Sequence, residues 1–217
     1  MLSVKDRIIE AGGKTICRQV SFDINAGDCI MLCGANGSGK TTLLRDILDI
    51  AENRCSAVMI PARVPKVNGF TTKEFIRLSC YRQSDMNGML PKELEEEMEL
   101  VLERFGLSEF SERDISSLSD GEFQKAGIAA SIVRHADLIL LDEPTAFLDA
   151  ENRIRTLNLM NEICSDGRKA VIFSTHDLHN GISVCNKVMA LGADRIFRYA
   201  EKDRSAMEEA VRSIFSF

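Results

Sequence analysis

The run GANGSGKTT, Gly34 to Thr42, sets three glycines in six positions between an apolar segment, CIMLC, and a segment with helical spacing. Neither a strand nor a helix is built from such a composition, because glycine adds backbone freedom and no side chain to pack. CIMLC is bounded by the DINAGD turn and by Gly34, which suits a short strand buried on both faces. Lys40 to Ile50 places Leu43, Leu44, Ile47 and Leu48 on one helical face. Strand, glycine loop and helix in immediate succession commit the chain to an α/β architecture.

The rest of the chain extends that pattern. A strand, a turn at Gly12 and Gly13, and a second strand precede the loop. From about Val67 to Val133 the periodicity is helical, with Leu94, Met98, Val101, Leu102 and Phe105 on one face between Pro91 and Gly106. Beyond Arg134 the alternation returns as LILLD, a helix from Ala150 to Cys164, AVIFST, a helix from Asp177 to Cys185, and VMAL. The tail reads as a helix with a capping box at Ser205 and Glu208 and an apolar stripe of Met207, Ala210, Val211 and Ile214. The expected fold is a mostly parallel sheet flanked by helices, formed by residues 1–64 and 135–217, with a helical subdomain inserted at 65–134.

Composition narrows the function. A net charge of -6 with no Lys/Arg-rich run argues against broad binding to nucleic acid or anionic lipid. Apolar runs such as Leu138 to Leu141 fall far short of the ~20 residues that cross a bilayer, and MLSVKDRIIE has no signal-peptide core, so a soluble cytoplasmic chain is expected. The seven cysteines form no Cys-x-x-Cys pair and read as reduced core thiols.

GANGSGKT fits G-x-x-x-x-G-K-[ST] in the context that the chemistry requires, after a strand and before a helix. Without β-carbons at Gly34, Gly37 and Gly39 the backbone can turn successive amides toward one anion, and the helix start adds its partial positive charge. The loop, with Ala35, Asn36, Ser38 and Thr42, is expected to cradle phosphates, with Lys40 reaching the β- and γ-phosphates and the Thr41 hydroxyl ligating Mg²⁺. LILLDEP then brings a carboxylate, Asp142, to the metal at the C-terminal edge of the sheet, and Glu143 to the attacking water. ATP and Mg²⁺ are the implied ligands.

LSDGE, Leu118 to Glu122, completes a set of motifs that resembles the ATP-binding-cassette (ABC) ATPases in order across nearly the whole chain. The resemblance implies head-to-tail pairing of two cassettes, with Ser119 and Gly121 of one capping the γ-phosphate held by the other. FLD, Phe147 to Asp149, resembles the loop linking the two sites, and FSTH ends in His176, matching the switch histidine on the γ-phosphate. His135 and His179 read as ordinary polar residues. DEPTAFLD, LSDGEFQKAGIAASIV and GFTTKEF look most like ATPases of importers for iron-siderophore, haem or cobalamin compounds. That likeness implies separate integral-membrane permease subunits and a place on the inner face of the cell membrane.

Three departures stand out. Ala11 lies where the family usually carries an adenine-stacking aromatic, and no Tyr, Phe or Trp precedes Phe22. Ala62 stands where a glutamine usually follows the strand before the insert; Gln83 is the substitute weighed against a true loss. The short stretch between Leu44 and VMIP leaves no room for the usual antiparallel excursion, so a trimmed sheet is expected. The alternatives to an importer subunit are an ABC ATPase switching a non-membrane partner, and a nucleotide binder that barely turns over.

Overall fold

The computed structural model describes residues 2–62, 68–84, 89–146, 148–201 and 203–214. In chain order the elements are β1 (Leu2–Ala11), β2 (Lys14–Ile24), β3 (Cys29–Gly34), α1 (Lys40–Ala51), β4 (Ala57–Ile60), α2 (Thr72–Ser79), α3 (Lys92–Arg104), α4 (Asp120–Val133), β5 (Leu138–Leu141), α5 (Ala150–Cys164), β6 (Ala170–Ser174), α6 (Leu178–Val184), β7 (Lys187–Leu191), β8 (Phe197–Glu201) and α7 (Arg204–Arg212). They divide into two units, residues 1–62 with 137–217, and residues 63–136. The expected start of the insert at Pro65 lies outside the described residues.

In the first unit the sheet order is β4-β5-β6-β3-β7-β8, parallel except for β8, which runs antiparallel to β7. β3 and its neighbours are buried throughout because both faces are covered. Ile30, Leu32, Leu138, Leu140, Ile172 and Met189 pack with the β1–β2 hairpin and with Leu43, Leu44 and Ile47 of α1. The alternate residues Met31, Ile139, Phe173 and Ala190 are equally buried. Each of these side chains other than Ala190 contributes roughly 1.5–3 kcal/mol, so the sheet centre is the stable platform on which the loops at its C-terminal edge are held. Among the described residues the separate antiparallel sheet has only β1 and β2, the trimmed form expected from the short link.

A buried ion cluster sits at the other edge. Lys187 is 4% exposed, with Nζ 2.7 Å from Asp28 Oδ2 and 3.1 Å from Glu201 Oε2, and it donates to the Asp23 carbonyl. Burial works against its charge, but the hydrogen bonds to Asp28, Tyr199 and Glu201 prevail and raise its pKa above the ordinary lysine value. A raised folded-state pKa means that the contribution is complete below about pH 10 and is lost as pH rises through the folded value. Lys187→Met leaves Asp28 buried without its cation and is expected to cost about 3–5 kcal/mol. Urea titrations at pH 7.5 and pH 11 check both: wild type weakens at the higher pH, and the variant weakens less over the same interval, the remainder coming from buried thiols such as Cys33.

In the helical unit, Leu94, Met98, Val101 and Leu102 form the buried face of α3, as the periodicity predicts. Thr71 and Glu74 form a capping box on α2, and Phe75 meets Phe123 of α4 with ring centroids 5.7 Å apart. Two sequence expectations need correction. The last helix is capped by Asp203, whose carboxylate accepts from the Ser205 amide, because Asp203 stands one residue before the first helical turn and Ser205 lies inside it. The stripe is also narrower, since Val211 is only half-buried. β8 was not anticipated: its residues Phe197 to Ala200 are half-buried and Glu201 is exposed, and FRYAE offers neither a clean alternation nor an apolar run.

Candidate active site

The C-terminal ends of β3, β5 and β6 adjoin in the sheet and carry the cradle, Asp142-Glu143 and His176 respectively. The chain leaves β3 at Gly34, where a β-carbon would lie 2.6 Å from Ser38 Oγ and 2.9 Å from the Leu191 carbonyl. It enters α1 through Gly39 at φ 101°, where a β-carbon would lie 2.1 Å from Ile16 Cγ2. Both glycines are thus required by close approach, and Gly39 also by backbone conformation. The open loop Ala35 to Gly37 is exposed, and the first-turn amides of α1 have no carbonyl partner within the helix.

Lys40 is 7% exposed; its Nζ donates to the Gly34 carbonyl at 3.0 Å and lies 3.4 Å from His176 Nε2 and 3.7 Å from Glu143 Oε1. His176 Nε2 is 2.9 Å from the same carboxylate oxygen. Thr41 Oγ1 donates to Asp142 Oδ2 at 2.7 Å. A cation, two carboxylates, a hydroxyl and an imidazole from two strand ends and one helix therefore converge at the mouth of the loop. Asp142 is buried, whereas half of the His176 side chain remains open.

Ser38 Oγ is buried with no hydrogen-bond partner among the described residues, an acceptor and donor left over inside the cradle. Thr41 and Asp142 supply two hard oxygens, and no group of three or more His, Cys, Asp or Glu able to hold a metal occurs among the described residues. That donor set fits Mg²⁺, which takes one or two protein oxygens and completes its shell with phosphates and water. Cys33, next to the cradle, is pushed up to about 12 by burial, so its thiol stays protonated and plays no nucleophilic part.

The remaining expected residues lie elsewhere. Asp149 caps α5 and accepts from both the Asn152 amide and side chain, which hold its carboxyl below the usual range. Phe147 lies outside the described residues. In the helical unit, Ser119 and Glu122 form a capping box on α4, with Gly121 in its first turn. Gln83 is spent within the same unit, donating to the Arg134 carbonyl at 3.2 Å. Ala11 is the exposed end of β1, and His135 pairs with Glu97.

The sequence reading missed Ser174, the last residue of β6, which is fully buried. Its Oγ donates to Asp142 Oδ1 at 2.8 Å and accepts from the Glu143 amide at 2.8 Å. The available signal was a hydroxyl ending an otherwise apolar strand.

The family model described as ABC transporter matches residues 17–146, more than half of the chain. The chain belongs to the ABC transporter family. This ABC ATPase is 25% identical to the petrobactin import ATP-binding protein FpuD of Bacillus anthracis, over 99% of this chain and 86% of that protein. It is 32% identical to the aliphatic sulfonates import ATP-binding protein SsuB 3 of Nocardia farcinica (strain IFM 10152), over 85% of this chain and 74% of the relative. Its fold matches cbiO1 from Clostridium perfringens, part of the ABC transporter complex cbiONQ, with a TM-score of 0.78 at 20% identity, covering 98% of this chain and 93% of that one. Among the described residues no helix of the ABC ATPase is long and apolar enough to cross a membrane.

Proposed function

We propose that this ABC ATPase powers import of an iron-siderophore, haem or cobalamin type of compound, working as a head-to-tail dimer beneath separate membrane permease subunits. The observation that carries the reading is the convergence of Lys40, Thr41, Asp142, Glu143 and His176 at the mouth of one glycine cradle. The backbone of Gly34 to Thr42 and Lys40 hold the triphosphate, with Lys40 exchanging its loop carbonyls for phosphate oxygens. Thr41 and Asp142 hold Mg²⁺, which when bound neutralises charge on the phosphates. Glu143 orients the attacking water, and His176, in hydrogen-bond reach of Glu143, keeps that carboxylate and the γ-phosphate in register. The Ser119 hydroxyl and the Gly121 amide, at the start of α4, serve the partner copy's nucleotide, with Asp149 in the loop between sites.

Import is supported by the relatives, one named for petrobactin and one for aliphatic sulfonates. Their cargoes differ, so the siderophore class rests on the sequence likeness and the first of them. A permease is supported by the helical unit, where Phe70, Leu78 and Tyr81 are exposed around a groove of about 300 Å³ that Glu74, Arg77 and Ser84 also line. The place on the inner membrane face follows from that partnership.

The test has two parts. Purified chain with ATP and Mg²⁺ releases phosphate. Expressed with its cognate permease, it is recovered with membranes, and Leu78→Asp, at a position 50% exposed, shifts it to the supernatant with its turnover intact. Recovery of wild type in a soluble complex with another protein would instead favour a switch on a non-membrane partner.

A further inference from the structure

We infer that Ser174 is a positioning residue for hydrolysis, a single hydroxyl that aims both carboxylates of the site; this rests on the ATPase reading above. β6 lies between β5 and β3 in the sheet, and Leu141 pairs in register with Phe173, so the next residues, Asp142 and Ser174, face each other across the same edge. Ser174 is 0% exposed, and a buried hydroxyl must find partners within the protein.

It finds two with different roles. Donation to Asp142 Oδ1 fixes the carboxylate rotamer and leaves Oδ2 turned to Thr41, so the pair of oxygens expected to hold Mg²⁺ is set by a residue that does not touch it. Acceptance from the Glu143 amide anchors a backbone at φ 51°, the left-handed region that a residue with a β-carbon adopts only when its surroundings enforce it. From that conformation the Glu143 side chain reaches 2.9 Å from His176 Nε2 and 3.7 Å from Lys40 Nζ. The hydroxyl has one proton and uses it on Asp142, so both carboxylates depend on the same group in one fixed hydrogen-bond direction. Second-tier contacts of this kind are what hold a reacting constellation within tolerance.

The test compares Ser174→Ala and Ser174→Thr with wild type by steady-state phosphate release and by calorimetric ATP binding with Mg²⁺ and with EDTA. Ser174→Ala is expected to lower kcat by about ten- to a hundredfold, the effect of losing a hydrogen bond to a charged group. KM for ATP should stay within about threefold, because the cradle and Lys40 are untouched. The gain in ATP affinity on adding Mg²⁺ should shrink in Ser174→Ala and return in Ser174→Thr, which keeps the hydroxyl. If Ser174→Ala does not fold, Ser174→Cys, close in size with a weaker donor, carries the comparison. A variant with a lowered melting temperature but unchanged kcat and Mg²⁺ gain would show a structural hydroxyl only and overturn the inference. Wild type that gains no ATP affinity from Mg²⁺ and releases no phosphate would instead overturn the ATPase reading itself, and the inference with it.

Discussion

Glu143→Gln is expected to remove turnover by about a hundred- to ten-thousandfold while leaving ATP bound, since loss of a general base costs in that range. Gln keeps the length of the side chain and can still meet His176, now 2.9 Å from the carboxylate, but it cannot accept a proton from water. It also removes a negative charge close to Lys40, where the γ-phosphate is to sit, so binding should hold or tighten. With hydrolysis blocked, ATP should trap a closed dimer, visible as an earlier-eluting species in gel filtration with ATP and absent with ADP. Phosphate release at the wild-type rate from the variant would remove Glu143 from its role.

Gly39→Ala is expected to abolish measurable ATP binding through two separate costs. The backbone there has φ 101° and ψ 17°, a conformation that a β-carbon disfavours by about 1–2 kcal/mol. The new methyl would also lie 2.1 Å from Ile16 Cγ2, and Ile16 is β-branched with little freedom to rotate away. The strained loop can relax only by opening, which scatters the amides that make the cradle; a loss of about 2–4 kcal/mol in stability accompanies it. Calorimetry with ATP and a thermal melt check both effects. Ile16→Ala in the same molecule relieves the overlap and not the backbone term, so partial recovery of the melt is expected. Full ATP affinity in the single variant would mean that the loop is softer than its geometry states.

The two variants also mark how much could be read in advance. Gly39 and Glu143 stand in short linear motifs, where spacing along the chain fixes which groups can meet. A glycine cradle before a helix is local physics, and so is the apolar face of α3. The Asp203 cap was misplaced by two residues because Ser205 and Glu208 offer an equally good local pattern, and only the point where β8 hands the chain to α7 chooses between them. Gln83 illustrates the same limit: its chain distance from Lys40 is ordinary, yet its amide is taken by the Arg134 carbonyl.

The sequence by itself determined the α/β alternation, the phosphate loop and the chemical identity of the groups at the ends of β5 and β6, since periods of two and 3.6 residues and glycine conformations are properties of neighbours along the chain. Tertiary structure alone decided that β6 lies between β5 and β3, that Ser174 thereby joins Asp142 to Glu143, and that Lys187 is buried against Asp28 and Glu201. Ser174 meets Asp142, and β5 pairs with β6, across more than thirty positions of chain, and no local pattern encodes which of several apolar strands will pair.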